Sequence, residues 1–403
     1  MKQLRFTNEM QEVLAKILPN VLSFREKLHR HPELGYEEHK TTDLIVRRLG
    51  EIGIDKIETK YSKTGVVGII EADKAQRTIA IRADIDALPL KENSGAPFAS
   101  ENEGIMHACG HDVHTSIVIG VAELLQHFRD KLNVNVKLIF QPAEECSPEG
   151  GAKTLIANGV LHGVDAIVGL HVWPRLPVGA VGVVRGSAMA ASDKLKISIF
   201  GQGAHAAEPQ NGIDAIMIAT QVVNAINSFR ARTIDPFEPV VLSLGTINSR
   251  GRYNIICPQV DIEGTIRTLN EDTRCFIGKK LVEIVASAAE AMDGSGEINI
   301  LRGYDVLKND EKLTNRFTEL TKSLLGDDKV LSNVKPSMIS EDFAFYAKQV
   351  PATYFFLGCE SPHPLHSSQF LPNEGCIEIG IKVLTNLVLN DFLGIDEKQS
   401  QTF

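Results

Sequence analysis

The sequence predicts an α/β fold interrupted by a smaller α+β insertion. Three observations carry this reading. Nearly continuous apolar runs of strand length are separated by helix-length amphipathic stretches, the rhythm changes after about Ser187, and the first pattern resumes after about Leu301. Unbroken apolar runs suit strands covered on both faces, whereas alternation marks a strand with one solvated face.

In chain order, residues 37–52 read as a helix, 65–71 and 78–82 as strands, and 114–128 as a helix; 134–140 and 165–170 then read as strands. Past Ser187, residues 194–201 alternate as a strand and 213–230 form a helix. Strands at 240–247 and 260–269, a helix at 273–291 and a strand at 297–301 complete the insertion. That βαββαβ order is the split βαβ of a ferredoxin-like domain. Helices at 311–325 and 341–349, a strand at 353–358 and a closing helix at 375–393 then resume the α/β pattern. The expected division is therefore one discontinuous α/β domain (1–187 with 302–403) and an inserted domain (188–301). Only the polar tail 396–403 calls for disorder.

Bulk properties exclude several classes. The net charge is −9 and the Lys and Arg residues are scattered, so nucleic acid and anionic membrane surfaces are not expected partners. No apolar run approaches the ~18 residues of a spanning helix. Residues 1–9 are polar and lack the apolar core of a secretion signal. The six cysteines show no paired spacing, which suits a reducing compartment, and a cytoplasmic location is expected.

The densest polar cluster is His107-Ala108-Cys109-Gly110-His111-Asp112-Val113-His114, where Asp112 or Thr115 could cap the following helix. Thiolate and imidazole are ligands that borderline-soft divalent metals prefer. Cys109 and His111, two apart, would share one face of an extended segment. A loop whose histidines only hydrogen-bond explains the same residues. Other strands widen the case: 134–140 runs into Gln141-Pro142-Ala143-Glu144-Glu145, 165–170 into His171, 353–358 into the loop of His363 and His366, and 78–82 into Asp84 and Asp86. Strand carboxyl ends are where open α/β sheets form sites. Neighbouring side chains diverge, so Glu144 and Glu145 need separate roles, one holding a metal and one acting as a base.

These stretches resemble the aminoacylase and carboxypeptidase superfamily of two-metal amidohydrolases. Within it the chain is similar to the branch of hippurate hydrolases, indoleacetyl-amino-acid hydrolases and bacterial N-acyl-amino-acid deacylases. The matching stretches are LHRHPELGYEE (28–38), IRADIDALP (81–89), MHACGHDVHT (106–115), QPAEE (141–145), GLHVWP (169–174), GQGAHAAEP (201–209), SEDFAFY (340–346) and LHSSQF (365–370). The resemblance implies Cys109, His111, Glu145, His171 and His366 as ligands of two divalent ions. It implies Glu144 as general base, Asp84 and Asp86 as the acidic segment orienting the site, and His205 as a histidine reaching the substrate carbonyl. Zinc, manganese, cobalt and nickel all tolerate such ligands.

The implied activity is hydrolysis of N-acyl-L-amino acids, small-molecule substrates, by a homodimer or higher homo-oligomer. The substrate carboxylate needs a cationic or amide partner, for which Asn254 and Arg267 are the candidates. The rivals are a metallo-dipeptidase or carboxypeptidase of the same superfamily and a silent metal-dependent binding protein. Two departures stand out: Cys257 interrupts the run from Asn254 to Pro258, and His363 is a second histidine before His366. His29, His107 and His114 read as structural histidines, and Trp173 as either acyl-pocket lining or core.

Overall fold

The computed structural model describes residues 6–54, 56–73, 75–390 and 393; the expected disordered tail 396–403 lies outside them. These residues fall into two compact units. One takes its members from Met1–Ala188, Lys308–Lys335 and Asp342–Phe403, the other from Met189–Leu307 and Pro336–Glu341.

The first unit is built on a mixed 8-stranded sheet. Its order is Lys56–Glu58, Val66–Ile70, Asn135–Gln141, Thr78–Asp84, Ala166–Trp173, Ala352–Gly358, Val181–Val183, Val330–Leu331. The four central strands, Asn135–Gln141 to Ala352–Gly358, run parallel, so their carboxyl ends share one edge. They are buried along nearly their whole length, as their unbroken apolar sequences require. Antiparallel neighbours flank them at Val66–Ile70 and Val181–Val183.

A helix at Asn8–Arg30 adds to the expected elements. Thr7 caps it by accepting from the Met10 amide at 3.2 Å. Met10, Leu14, Ile17, Val21, Phe24 and Leu28 recur at three- and four-residue spacing and bury one face. It packs on His111–His127, which packs in turn on Gly375–Leu389. Between the last two helices the backbones approach closely. A Cβ on Gly380 would lie 2.6 Å from Ile117 Cδ1 and 3.0 Å from its Cγ2.

The second unit has the βαββαβ order: Ala191–Phe200, Ala215–Thr233, Val240–Ser249, Gln259–Thr268, Glu271–Glu290, Ser295–Arg302. The strands pair antiparallel in the spatial order fourth, first, third, second, as a ferredoxin-like sheet does. Its own core forms between the sheet and the two helices, around Leu195, Ile197, Ile218, Val222, Ile266, Ile277 and Leu281. Cys257, the departure noted in the sequence, is buried there and donates its thiol to the Gln259 carbonyl at 3.1 Å. The helix expected at 341–349 contracts to Ala344–Ala347. Upstream of it the Ser337 and Ile339 carbonyls both accept from the Ala190 amide, and the chain passes through a turn at Asp342 and Phe343 before the helix starts.

The helix contact at Gly380 is testable. Alanine is ordinarily the better helix residue, but here its methyl would strike three atoms of a β-branched side chain. Gly380→Ala should destabilise by about 1–3 kcal/mol, the cost of overpacking, seen as a lower melting temperature. An unchanged or raised value would contradict the packing.

Candidate metal centre

The parallel edge gathers Asp84, Asp86, Cys109, His111, Glu144, Glu145, His171 and His366. The cluster at 107–114 reaches it through a tight turn. Gly110 adopts φ 86°, and a Cβ there would lie 2.5 Å from Val172 Cγ2, so glycine is required where the chain enters the helix. The helix starts at His111, three residues before the expected 114, with Gly110 rather than Asp112 or Thr115 as its cap. Cys109 and His111 thus meet by a loop-to-helix turn, not along an extended face. Thr115 instead donates its hydroxyl to the Asp84 carbonyl at 2.9 Å.

Two sets of ligand-type atoms share the Cys109 sulfur: Cys109, His111 and His171, and Cys109, Glu145 and His366. Within each set the atoms lie within 4.8 Å of one another. A third set joins His111 to Glu144 and Glu145. His111 Nδ1 donates to Asp86, 3.0 Å from Oδ1, and its buried Nε2 has no hydrogen-bond partner among the described residues. His171 Nδ1 donates to the Val172 carbonyl at 2.8 Å, leaving Nε2 3.4 Å from Cys109 Sγ. His366 Nε2 lies 3.2 Å from Glu145 Oε1, and the His366 amide donates to the Ala108 carbonyl at 2.8 Å. Histidines that spend one nitrogen on a backbone or carboxylate acceptor present the other in a fixed tautomer, the usual arrangement behind a metal.

The electrostatics call for positive charge. Burial, then the Glu145, Glu144 and Asp84 carboxylates, push the Cys109 thiol well above its usual range. Burial works against a charged His111 ring, but Asp84, Asp86 and Glu145 outweigh it and raise the pKa to about 10. Burial holds His171 well below the ordinary histidine range, so its ring is neutral. A surplus of carboxylates around a thiol and open imidazole nitrogens fits divalent cations. The buried Nε2 of His111 and the shared Cys109 sulfur are the observations on which this fit rests.

Beneath the ligands lies a polar network. Arg82, fully buried, donates from Nε to Gln141 at 2.9 Å, from Nη1 to Asp84 at 2.6 Å and from Nη2 to Asp342 at 2.8 Å. Gln141 and the Ala152 amide also donate to Asp342. His114 has both nitrogens engaged: Nδ1 donates to Asp84 at 2.6 Å, and Nε2 accepts from the Val172 amide at 2.9 Å. His29 is likewise satisfied by Asp112 and Glu92. His107 is buried, and burial pushes it down to about 3, so its ring stays neutral. Arg82, Gln141 and Asp342 do not stand out in the sequence as site residues, although an arginine in an otherwise apolar strand is the available signal. Glu38 is a further unexpected member; its carboxylate accepts from the Ala143 amide at 2.8 Å.

Other expected residues lie elsewhere. His363 joins none of the ligand sets among the described residues, and its amide donates to Ser361. Trp173 stacks on Phe356 with ring centroids 4.3 Å apart and meets the His171 ring edge-on at 6.1 Å. In the second unit, His205 and Asn254 are brought together: His205 bridges to Ile255, and the Ala206 amide donates to the Asn254 carbonyl at 3.1 Å. Arg267 is not with them. It stands near the far end of Gln259–Thr268, on the order of 25 Å along the strand at about 3.3 Å per residue, and donates to the Met338 carbonyl at 3.2 Å.

A family model described as Peptidase family M20/M25/M40 matches residues 80–390. An N-acetyl-L-cysteine deacetylase of Bacillus subtilis is 38% identical over 90% of this chain and 86% of its own length. A thermostable carboxypeptidase of Saccharolobus solfataricus is 36% identical over 89% of this chain and 92% of its own length. Among solved structures, a Bacillus subtilis protein described as a dinuclear metal binding peptidase superposes with a TM-score of 0.84. It is 32% identical and covers 94% of this chain and 100% of its own. Matched over most of its length in sequence and in fold, the chain belongs to Peptidase family M20/M25/M40 and is a hydrolase acting on amide bonds.

Proposed function

We propose that this protein is a two-metal amidohydrolase that cleaves N-acyl-L-amino acids to a carboxylate and a free amino acid. The observation that carries the reading is the pair of ligand sets sharing Cys109, with the buried His111 Nε2 left open toward them. Cys109, His111, Glu145, His171 and His366 would hold two divalent ions, zinc or manganese first among those these ligands accept. When bound, the ions supply Lewis acidity, which lowers the pKa of water from ~15.7 toward ~7 and polarises a carbonyl.

The chain's own groups do the rest. Glu144, buried at the edge beside His111 and Glu145, accepts the proton of the attacking water and returns it to the departing nitrogen. Asp86 fixes the His111 ring, and its other oxygen accepts from the Glu145 amide at 2.9 Å, so one carboxylate orients two ligands. Asp84 ties His114 and Arg82 to the same edge. His205 is assigned as donor to the substrate carbonyl oxygen by resemblance. Asn254, which lies beside His205, is proposed ahead of Arg267 as the partner of the substrate carboxylate.

A homodimer is proposed as well: Val240–Ser249 is an edge strand with its second half exposed, an unpaired template for a second copy. All six cysteines are free, which supports a reducing, cytoplasmic setting. No helix among the described residues is long and apolar enough to cross a membrane.

The metal assignment predicts about two divalent ions per loaded chain, loss of activity on chelation, and a lower metal content in Cys109→Ala by elemental analysis. Full turnover after exhaustive chelation would refute it. Glu144→Gln should retain its metal yet lose roughly 10²–10⁴-fold in turnover, the contribution of a general base. Glu145→Gln should weaken metal binding instead; the reverse pattern would exchange the two roles.

The second reading, a carboxypeptidase or dipeptidase, is favoured by the carboxypeptidase relative. The charge on the substrate separates the two. A free ammonium beside the scissile carbonyl would be held against two cations, a repulsion that a neutral acyl group avoids. N-acetyl-methionine or hippurate should therefore be cleaved faster than glycyl-methionine at equal metal loading. Faster cleavage of the dipeptide would select the peptidase reading.

A further inference from the structure

We propose that Glu38 is a positioning residue for the reaction, holding in place the turn that aims Glu144 and Glu145. The inference rests on the roles of those two carboxylates as base and ligand. Glu144 and Glu145 follow Ala143, a fully buried alanine whose backbone is left-handed, at φ 56°. An L-residue with a Cβ avoids that region unless its surroundings impose it. Relaxing Ala143 to an ordinary conformation would rotate the chain just before Glu144 and swing both carboxylates off their present aim.

The surroundings do impose it. Glu38 is fully buried, and its Oε1 accepts from the Ala143 amide at 2.8 Å while its Oε2 accepts from the Thr64 hydroxyl at 2.7 Å. The Ala143 carbonyl is held in turn by the amides of Gly151, at 3.0 Å, and Cys146, at 3.4 Å. Both faces of the strained residue are therefore gripped by groups outside the strand that leads into it. Glu38 is itself anchored: its carbonyl accepts from the Thr42 amide at 3.0 Å and the Thr42 hydroxyl at 2.6 Å, at the start of His39–Ile52.

The same stretch, LGYEE, supplies a second brace. A Cβ on Gly35 would lie 2.3 Å from Cys146 Sγ and 3.1 Å from Ala143 Cα, so the turn is seated directly on that glycine. Burial, then the Asp86 carboxylate, raise Glu38 to about 7. A glutamine at this position is accordingly a fair mimic: its amide oxygen can accept from Ala143 while the Thr64 hydroxyl turns to accept from its NH₂.

The test is a rescue experiment on the metal-loaded protein. Glu38→Ala, Glu38→Gln, Ala143→Gly and the double variant Glu38→Ala with Ala143→Gly are compared for melting temperature, metal content, kcat and KM. Glu38→Ala should lower kcat about 10²-fold, the scale of a misplacement near 1 Å, with KM changed little and a weaker hold on metal, because Glu145 is displaced together with Glu144. Glu38→Gln should keep kcat within about tenfold of wild type. Ala143→Gly in the Glu38→Ala background should restore about tenfold, because glycine holds the left-handed conformation without a brace.

A Glu38→Ala protein with wild-type kcat would overturn the proposal. So would a loss that neither glutamine nor the glycine rescue repairs, since that marks a brace for folding only. Should Glu38→Ala fail to fold, Glu38→Asp, one methylene too short to reach both donors, takes its place with the same expectations. Glu144→Gln assayed alongside keeps the two readings apart. If it stays active the base assignment fails, whereas the glycine rescue reports on Glu38 alone.

Discussion

A guanidinium buried in a protein interior costs several kcal/mol unless each of its donors finds a partner. Arg82 sits in the middle of the sheet with no exposed surface to speak of, and it meets that requirement by joining three chain segments. Asp84 closes its own strand, Gln141 ends the neighbouring one, and Asp342 begins the segment after the second unit. One buried guanidinium bonded to all three thereby ties the three segments into a single mutual arrangement. The edge that carries the ligand-type residues inherits its geometry from this arrangement.

From Arg82 the constraint passes outward through shared acceptors. Asp84 takes Nη1 of Arg82 on one oxygen and His114 on the other, and His114 then accepts from the amide of Val172, next to His171. Asp86 holds His111 with one oxygen and the Glu145 amide with the other. Each carboxylate thus sets two neighbours at once, and the set cannot shift one member without disturbing the next. The outcome is a concentration of negative charge that raises the pKa of His111 and adds to the effect of burial in raising the Cys109 thiol. That is an environment which favours positive charge at the edge.

The second unit follows simpler rules. Its sheet has one face covered by two helices, and its strands alternate accordingly, as in Ala191–Phe200 and Ser295–Arg302. Its candidate residues divide by position along one strand: Asn254 and His205 meet at one end, and Arg267 lies near the other with its guanidinium turned to the Met338 carbonyl. The distance of Arg267 from Asn254 follows from spacing along one strand, whereas the meeting of His205 with Asn254 is known only once the pairing of the two segments is known.

The amino-acid sequence by itself determined the alternation of strands and helices, the βαββαβ insertion, and the delivery of Asp, Glu and His to strand carboxyl ends. Those are local properties, written in the period of apolar residues and in the polar residues that end each run. Folding supplied the partners that leave each histidine spent or open. His29 and His114 are satisfied on both nitrogens, whereas His111 keeps Nε2 open, though all three stand in similar motifs. Folding also recruited Arg82 and Glu38, and it began the helix at His111 rather than at 114. The physical reason is range: the partners of Arg82 include residues 59 and 260 positions away, and Glu38 reaches Ala143 across 105. A buried polar group is defined by whatever the fold brings to it, and that is settled only when distant segments pack.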